Sequence, residues 1–119
     1  MRTSKKTLLV GVDLGGTNVR AGLVQNGKIA ALHTRAISSR AKQEVVVDEI
    51  CETIAVVLPP GVQGIGIGVP SLVDNGVVYS VNNIPSWRAV PLQKILKRRF
   101  GVPLSSPIVE SICATRTRY

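Results

Sequence analysis

Residues 8–24, LLVGVDLGGTNVRAGLV, limit what this chain can fold into more than any other stretch. An apolar run, Leu8–Leu9–Val10, leads through Gly11 and Val12 to a single acid, Asp13. A glycine turn follows, Gly15–Gly16–Thr17–Asn18, and a second apolar run leaves it from Val19 to Val24. Two strands about a short glycine connection predict a hairpin whose tip approaches something closely. Glycine permits left-handed φ at such a tip and, lacking Cβ, lets backbone N–H groups reach an anion. Thr17 and Asn18 add side-chain donors, and Asp13 stands at a strand end, where it can hold a metal ion through water. A phosphate with Mg²⁺ suits that set of groups. On these residues alone a plain hairpin, with Asp13 hydrogen-bonding the turn, is an equal reading.

The length of 119 residues fits one domain, burying roughly two-thirds of its unfolded surface. No apolar stretch reaches the roughly 20 residues needed to span a bilayer. The basic leader, residues 1–6, precedes an apolar run broken by Gly11 and Asp13, which argues against a signal peptide. Cys51 and Cys113 have no CxxC or Cys/His ligand spacing, and reduced thiols in a cytoplasmic protein are expected. A net charge of +8 normally raises nucleic-acid binding. Its distribution argues against that partner, because beyond Tyr119 no aromatic residue interleaves with a basic run to form a stacking platform. Lys94, Lys97, Arg98 and Arg99 instead fall on the polar face and last turn of an expected helix, which suits its dipole.

The first three strands are expected at residues 7–12, 18–25 and 28–37, the last two joined by Asn26-Gly27, the strongest short hairpin signal present. Ser38-Ser39 offer N-cap oxygens for a helix over residues 41–58. Val47, Ile50, Ile54, Val57 and Leu58 form its apolar stripe, and Gln43, Glu44, Asp48, Glu49 and Glu52 its solvated side. Pro59-Pro60-Gly61 ends it. Cys51 and His33 read as packing or surface residues. Residues 62–69, VQGIGIGV, predict a central strand with close backbone neighbours. Asp74-Asn75-Gly76 is a turn before a strand at 77–81, and Asn82 to Trp87 form a loop. Pro91 in a first turn, Leu92, Ile95, Leu96 and Phe100 inward, and Gly101 beyond the end define a second helix. Val102-Pro103-Leu104 would begin another strand.

The opening D-L-G-G-T-N-V-R resembles the first phosphate motif of the sugar kinase, actin and heat-shock ATPase superfamily. In detail it is similar to the ROK family of bacterial sugar kinases and related repressors. Ile65 to Asp74 resembles that family's strand and loop beside the sugar, Val77 to Trp87 its N-x-P-x-W substrate loop, and Val90 to Pro103 the helix that follows. The resemblance implies an α/β fold. It would be a ribonuclease-H-like (actin-like ATPase) mixed sheet with an opening three-stranded antiparallel meander and flanking helices, here an incomplete lobe over residues 7–104. It implies glucokinase-like phosphoryl transfer from ATP to a hexose such as glucose. Asp13, Gly15, Gly16, Thr17 and Asn18 would hold phosphate and, through Asp13 and water, Mg²⁺. Asn83 would hydrogen-bond sugar hydroxyls, for which an amide has both donor and acceptor, although a turn asparagine is an equal use of that residue. Ser71 stands where many relatives have Gly. Trp87 would wall the sugar pocket or pack the loop from below.

The resemblance stops after Pro103. Relatives continue with an apolar strand and an E/N-N-D-A-N segment whose Asp is the general base, whereas here no aspartate follows Asp74 and Glu110 is the only later acid. Residues 105–119 are expected to be a truncated or frameshifted tail, leaving the chain without catalysis of its own. Family members are often homo-oligomers, through a half this chain lacks. Two other classes stand beside the kinase: a non-catalytic sugar- or nucleotide-binding fragment, and the remnant of a sugar-responsive ROK repressor. The repressors carry a helix-turn-helix before the glycine motif, and the residues preceding Asp13 are too few for one.

Overall fold

A computed structural model describes residues 7–69, 73–81 and 83–101. The leader, Ser71, the strand expected from Val102, Cys113 and the 105–119 tail lie outside the described residues. Strands β1 (Leu8–Leu14), β2 (Asn18–Gln25) and β3 (Lys28–Ala36) form the expected meander, antiparallel throughout. β1 runs past its expected end because Asp13 pairs with Arg20 and Leu14 with Val19. Asn26 and Gly27 both adopt left-handed φ, 52° and 83°, the type I′ geometry that matches strand twist.

Helix α1 (Gln43–Val57) crosses to β4 (Gly64–Gly68), which lies parallel to β1 and gives the order β3-β2-β1-β4. β4, expected as a central strand, is an edge of the described sheet. In β1, Val10, Val12 and Leu14 are buried while Asp13 between them is exposed, so the period-two alternation sends one face inward. Val19 and Ala21 of β2 and Ile65 and Ile67 of β4 join that core. The helix meets it with Val46, Val47, Ile50, Cys51, Ile54 and Val57, a wider stripe than the sequence suggested. Leu58, expected in the stripe, is half-buried just beyond the helix.

Two expectations at the start of α1 are corrected. The helix begins at Gln43, with Lys42 at the N-cap position and no side-chain cap bond. Ser38 serves elsewhere: its N–H and its Oγ–H donate to the two carboxylate oxygens of Glu49, at 2.8 and 2.7 Å. Glu49, expected on the solvated side, is therefore buried, 9% exposed, because an acceptor satisfied twice tolerates loss of water.

A small hairpin follows, β5 (Val73–Asp74) and β6 (Val77–Val78), turning through Asn75 and Gly76 at φ 51° and 77°. β6 is shorter than expected, and tight turns follow it. Ile84 N–H donates to the Val81 carbonyl and Trp87 N–H to the Ile84 carbonyl, each at 3.0 Å. Val81, Ile84, Trp87 and Val90, three residues apart, all enter the core. Helix α2 (Leu92–Phe100) buries Leu92 and Leu96 and ends at Gly101, whose left-handed φ of 64° lets its N–H reach the Lys97 carbonyl. Pro91 occupies the N-cap position just before this helix, one place earlier than expected.

Candidate functional site

The glycine turn closes on itself before it offers anything outward. Gly15 N–H donates to the Asn18 carbonyl at 2.8 Å, and Asn18 Nδ2–H donates to Thr17 Oγ1 at 3.3 Å. Gly16 and Thr17 keep backbone N–H groups without a partner among the described residues, and the Thr17 hydroxyl proton is free to donate. Neither Gly15 nor Gly16 takes left-handed φ. Glycine at 16 has a different consequence: a methyl group there would overlap the Asn83 side-chain amide as placed and push it aside. Close approach, rather than backbone handedness, is what this turn requires.

That contact joins two stretches far apart in sequence. Gly16, Thr17 and Asn83 line one open cavity of about 500 Å³ together with Ser39, Arg40 and Pro85. The loop holding Asn83 is positioned from beneath by the buried Ile84 and Trp87, so Asn83 and Pro85 face solvent. The segment holding Ser39 and Arg40 is tied to both other walls. Ile37 N–H donates to the Thr17 carbonyl at 2.9 Å, and Ser86 Oγ–H donates to the Ala41 carbonyl at 2.8 Å. The cavity is rich in donors, and no carboxylate among the described residues lines it. Such a surface attracts an oxyanion or a polyol.

Three of the residues singled out from sequence, Gly16, Thr17 and Asn83, thus meet in one place. Gly15 and Asn18 shape the turn from outside the lining. Asp13 is exposed on the opposite sheet face, next to Arg20, where a shallow apolar depression also includes Gly11, Gly22 and Leu32. Among the described residues no three His, Cys, Asp or Glu side chains gather as a metal site. Trp87 is 1% exposed and belongs to the core, with its indole N–H unpartnered among the described residues. Ser71 lies outside the described residues. Pro85 belongs to the N-x-P-x-W stretch, whereas Ser39 and Arg40 carry no such signal. Ser39 reads in sequence as a helix cap, and nothing local shows that residues 39–40 reach the glycine turn.

The sequence matches the ROK family profile over residues 9–107. The glucokinase of Thermotoga maritima is 42% identical over 101 residues, covering 81% of this chain and 32% of that protein. The crystal structure of a ROK family glucokinase from Streptomyces griseus, in complex with glucose and AMPPNP, is similar with a TM-score of 0.70 at 34% identity, covering 82% of this chain and 31% of that one. A ROK family transcriptional regulator, a homologue of the Escherichia coli MLC protein, has the same fold at 20% identity, with a TM-score of 0.66 over 82% of this chain and 26% of its own. The chain spans about a third of the length of the curated glucokinases it matches. The mixed sheet is the ribonuclease-H-like, actin-type ATPase sheet of these neighbours, as a partial lobe. With the glycine turn and the Asn83 loop meeting at one cavity, the chain belongs to the ROK family.

Proposed function

We propose that residues 7–104 form the phosphate- and sugar-binding lobe of a cytoplasmic ATP-dependent hexose kinase, directed to glucose. The observation that carries this reading is the shared cavity, where the Gly16–Thr17 tip and the Asn83 amide stand against one another. In the whole enzyme ATP would supply the phosphoryl group and Mg²⁺ would offset its charge. The Gly16 and Thr17 N–H groups and the Thr17 hydroxyl would hold phosphate oxygens in place, with positioning and charge stabilisation as their contribution. Gly15 and Asn18 would keep the turn in shape for that purpose, and Asp13 would orient a cation through water. Asn83 would give and accept hydrogen bonds with sugar hydroxyls and so fix the ring beside the phosphate.

These 119 residues would supply phosphate and sugar contacts without the general base, so weak or absent ligand binding and no phosphoryl transfer are expected of them alone. No aspartate follows Asp74 to take the proton from the sugar hydroxyl. The same lobe also serves a regulator of this fold, so sugar binding without phosphoryl transfer is the second reading. Calorimetric titration with glucose and a coupled assay for glucose 6-phosphate test both halves. Asn83→Ala and Gly16→Ala are each expected to weaken glucose binding by about ten-fold or more, since each disturbs the same amide. Product formation is expected to be undetectable. Unchanged glucose affinity in both variants sinks the sugar role, and ATP-dependent phosphorylation by the purified chain sinks the non-catalytic half.

A further inference from the structure

Arg40 has no role in the phosphate turn or the sugar loop as read so far, yet it lines the cavity between them. Its neighbours bring it there by name. Ser38, two residues earlier, is clamped to Glu49 through both its N–H and its hydroxyl. Ala41, one residue later, has its N–H bonded to the Ser38 carbonyl at 2.9 Å and its own carbonyl bonded to Ser86. The backbone on either side of Arg40 is thus fixed to helix α1 and to the Asn83 loop, so the residue is held at the cavity wall.

Two of the chain's other arginines are engaged elsewhere. Arg35 pairs with Glu52 at 2.7 Å and lies 3.9 Å from Glu49, and Arg99 pairs with Asp48 at 2.9 Å. Arg40 is exposed and has neither ion pair nor hydrogen bond among the described residues. Around it the cavity presents the Ser39 and Thr17 hydroxyls, the Asn83 amide and the N–H groups of Gly16 and Thr17, with no carboxylate among the described residues. A cation among neutral donors, unopposed by any described acid, is the arrangement that receives an oxyanion.

We propose that Arg40 is a phosphate-binding residue, completing from a third wall the grip begun by the Gly16–Thr17 turn. This rests on the phosphate reading of that turn. The planar guanidinium takes two phosphate oxygens at once, while the turn N–H groups take others. The phosphate could be carried by a nucleotide or by a phosphorylated sugar. Both present the same oxyanion, and two probes separate them.

The test is calorimetric titration of the 119-residue chain with inorganic tripolyphosphate, with glucose 6-phosphate and with glucose. Four proteins are compared: the unaltered chain, Arg40→Gln, Arg40→Lys and Arg88→Gln, the last removing an exposed cation outside the cavity. Arg40→Gln is expected to weaken at least one phosphate probe about ten-fold, with Arg40→Lys intermediate and Arg88→Gln unchanged. Loss confined to tripolyphosphate marks a nucleotide phosphate, and loss confined to glucose 6-phosphate marks a sugar phosphate. Either result supports the proposal. Equal losses in Arg40→Gln and Arg88→Gln would reveal a diffuse field of positive charge and overturn it, as would unaltered phosphate affinity in Arg40→Gln or no phosphate binding by the unaltered chain. Glucose affinity that falls in Asn83→Ala while Arg40→Gln binds phosphate normally removes the Arg40 role alone. Glucose affinity insensitive to Asn83 removes the underlying sugar reading instead.

Discussion

Ala89 sits at φ 51°, in the left-handed region that costs an L-residue with a Cβ about 1 kcal/mol. It holds this conformation because its N–H donates to the Tyr79 carbonyl at 3.2 Å, while Val78 and Val90 exchange two backbone bonds at 2.8 Å on either side. The turn that seats Trp87 and Val90 in the core therefore imposes strain on one exposed alanine. Ala89→Gly is expected to raise stability by about 0.5 to 1 kcal/mol, read as a higher urea midpoint at unchanged slope. A lower midpoint would mean that the methyl group packs against something worth more than the strain it causes. Gly16 shows the opposite economy. Its φ is ordinary, and what a side chain would displace is the Asn83 amide, a residue far along the chain.

Among elements, the joint between β3 and α1 carries the most consequence for the site. Glu49 lies on the helix and Ser38 on the connecting segment, and their two hydrogen bonds set where residues 39–41 run. Thr53 Oγ–H donates to the Glu49 carbonyl at 2.7 Å, one turn along the same buried face. Arg35 on β3 lies 3.9 Å from the same carboxylate. Glu49→Ala is expected to cost about 2 kcal/mol, because two bonds to an ionised group are lost and the Ser38 N–H is left part-buried without its acceptor. Paired with Ser38→Ala in a double-mutant cycle, a coupling of about 1 kcal/mol should appear in denaturation midpoints. Additive losses would show that the two side chains act independently. The spacing of polar residues along α1 could not reveal this, since a helical wheel places Glu49 near the boundary and cannot say which loop folds onto it. Helix α2 was more legible: its apolar positions, basic last turn and Gly101 are local features, and each is found in place.

At the scale of the whole molecule, one core joins the sheet, both helices and the turn-rich loop, and Cys51 lies inside it as a free thiol. Burial pushes the Cys51 thiol above its ordinary pKa, with Arg99 pulling the other way and Asp48 and Glu52 adding to the rise. A group whose pKa is raised by folding contributes fully below its unfolded pKa, and that contribution fades as pH climbs through the raised value. Stability should therefore fall from about pH 8.5 upward, where an unfolded thiol ionises and the folded one resists. Urea midpoints of the unaltered chain and of Cys51→Ala, compared from pH 7 to 10, isolate the effect from lysine and tyrosine titration. The difference between them is expected to shrink with rising pH, and a constant difference would discount the thiol. No helix among the described residues is long and apolar enough to cross a membrane. Ile29 and Leu32 nevertheless stand 69% and 55% exposed on β3, at the open face of the sheet.

The meander, the Asn26-Gly27 turn, both helices and the ROK resemblance were readable from residues 8 to 100 because period-two and helical spacing, turn dipeptides and caps are encoded within a few neighbours. The three-residue rhythm of Val81, Ile84, Trp87 and Val90 was present in the sequence too, though it fits neither a strand nor a helix. Which residues share the cavity was a different matter. Gly16, Arg40 and Asn83 meet because β2 pairs with β3, Glu49 captures Ser38, and Trp87 sinks beneath its own loop. Those are contacts between distant segments, and only packing in three dimensions decides them. The opening glycine turn was thus legible as a close approach from its lack of side chains, while the Asn83 amide it makes room for emerged only once the chain was folded.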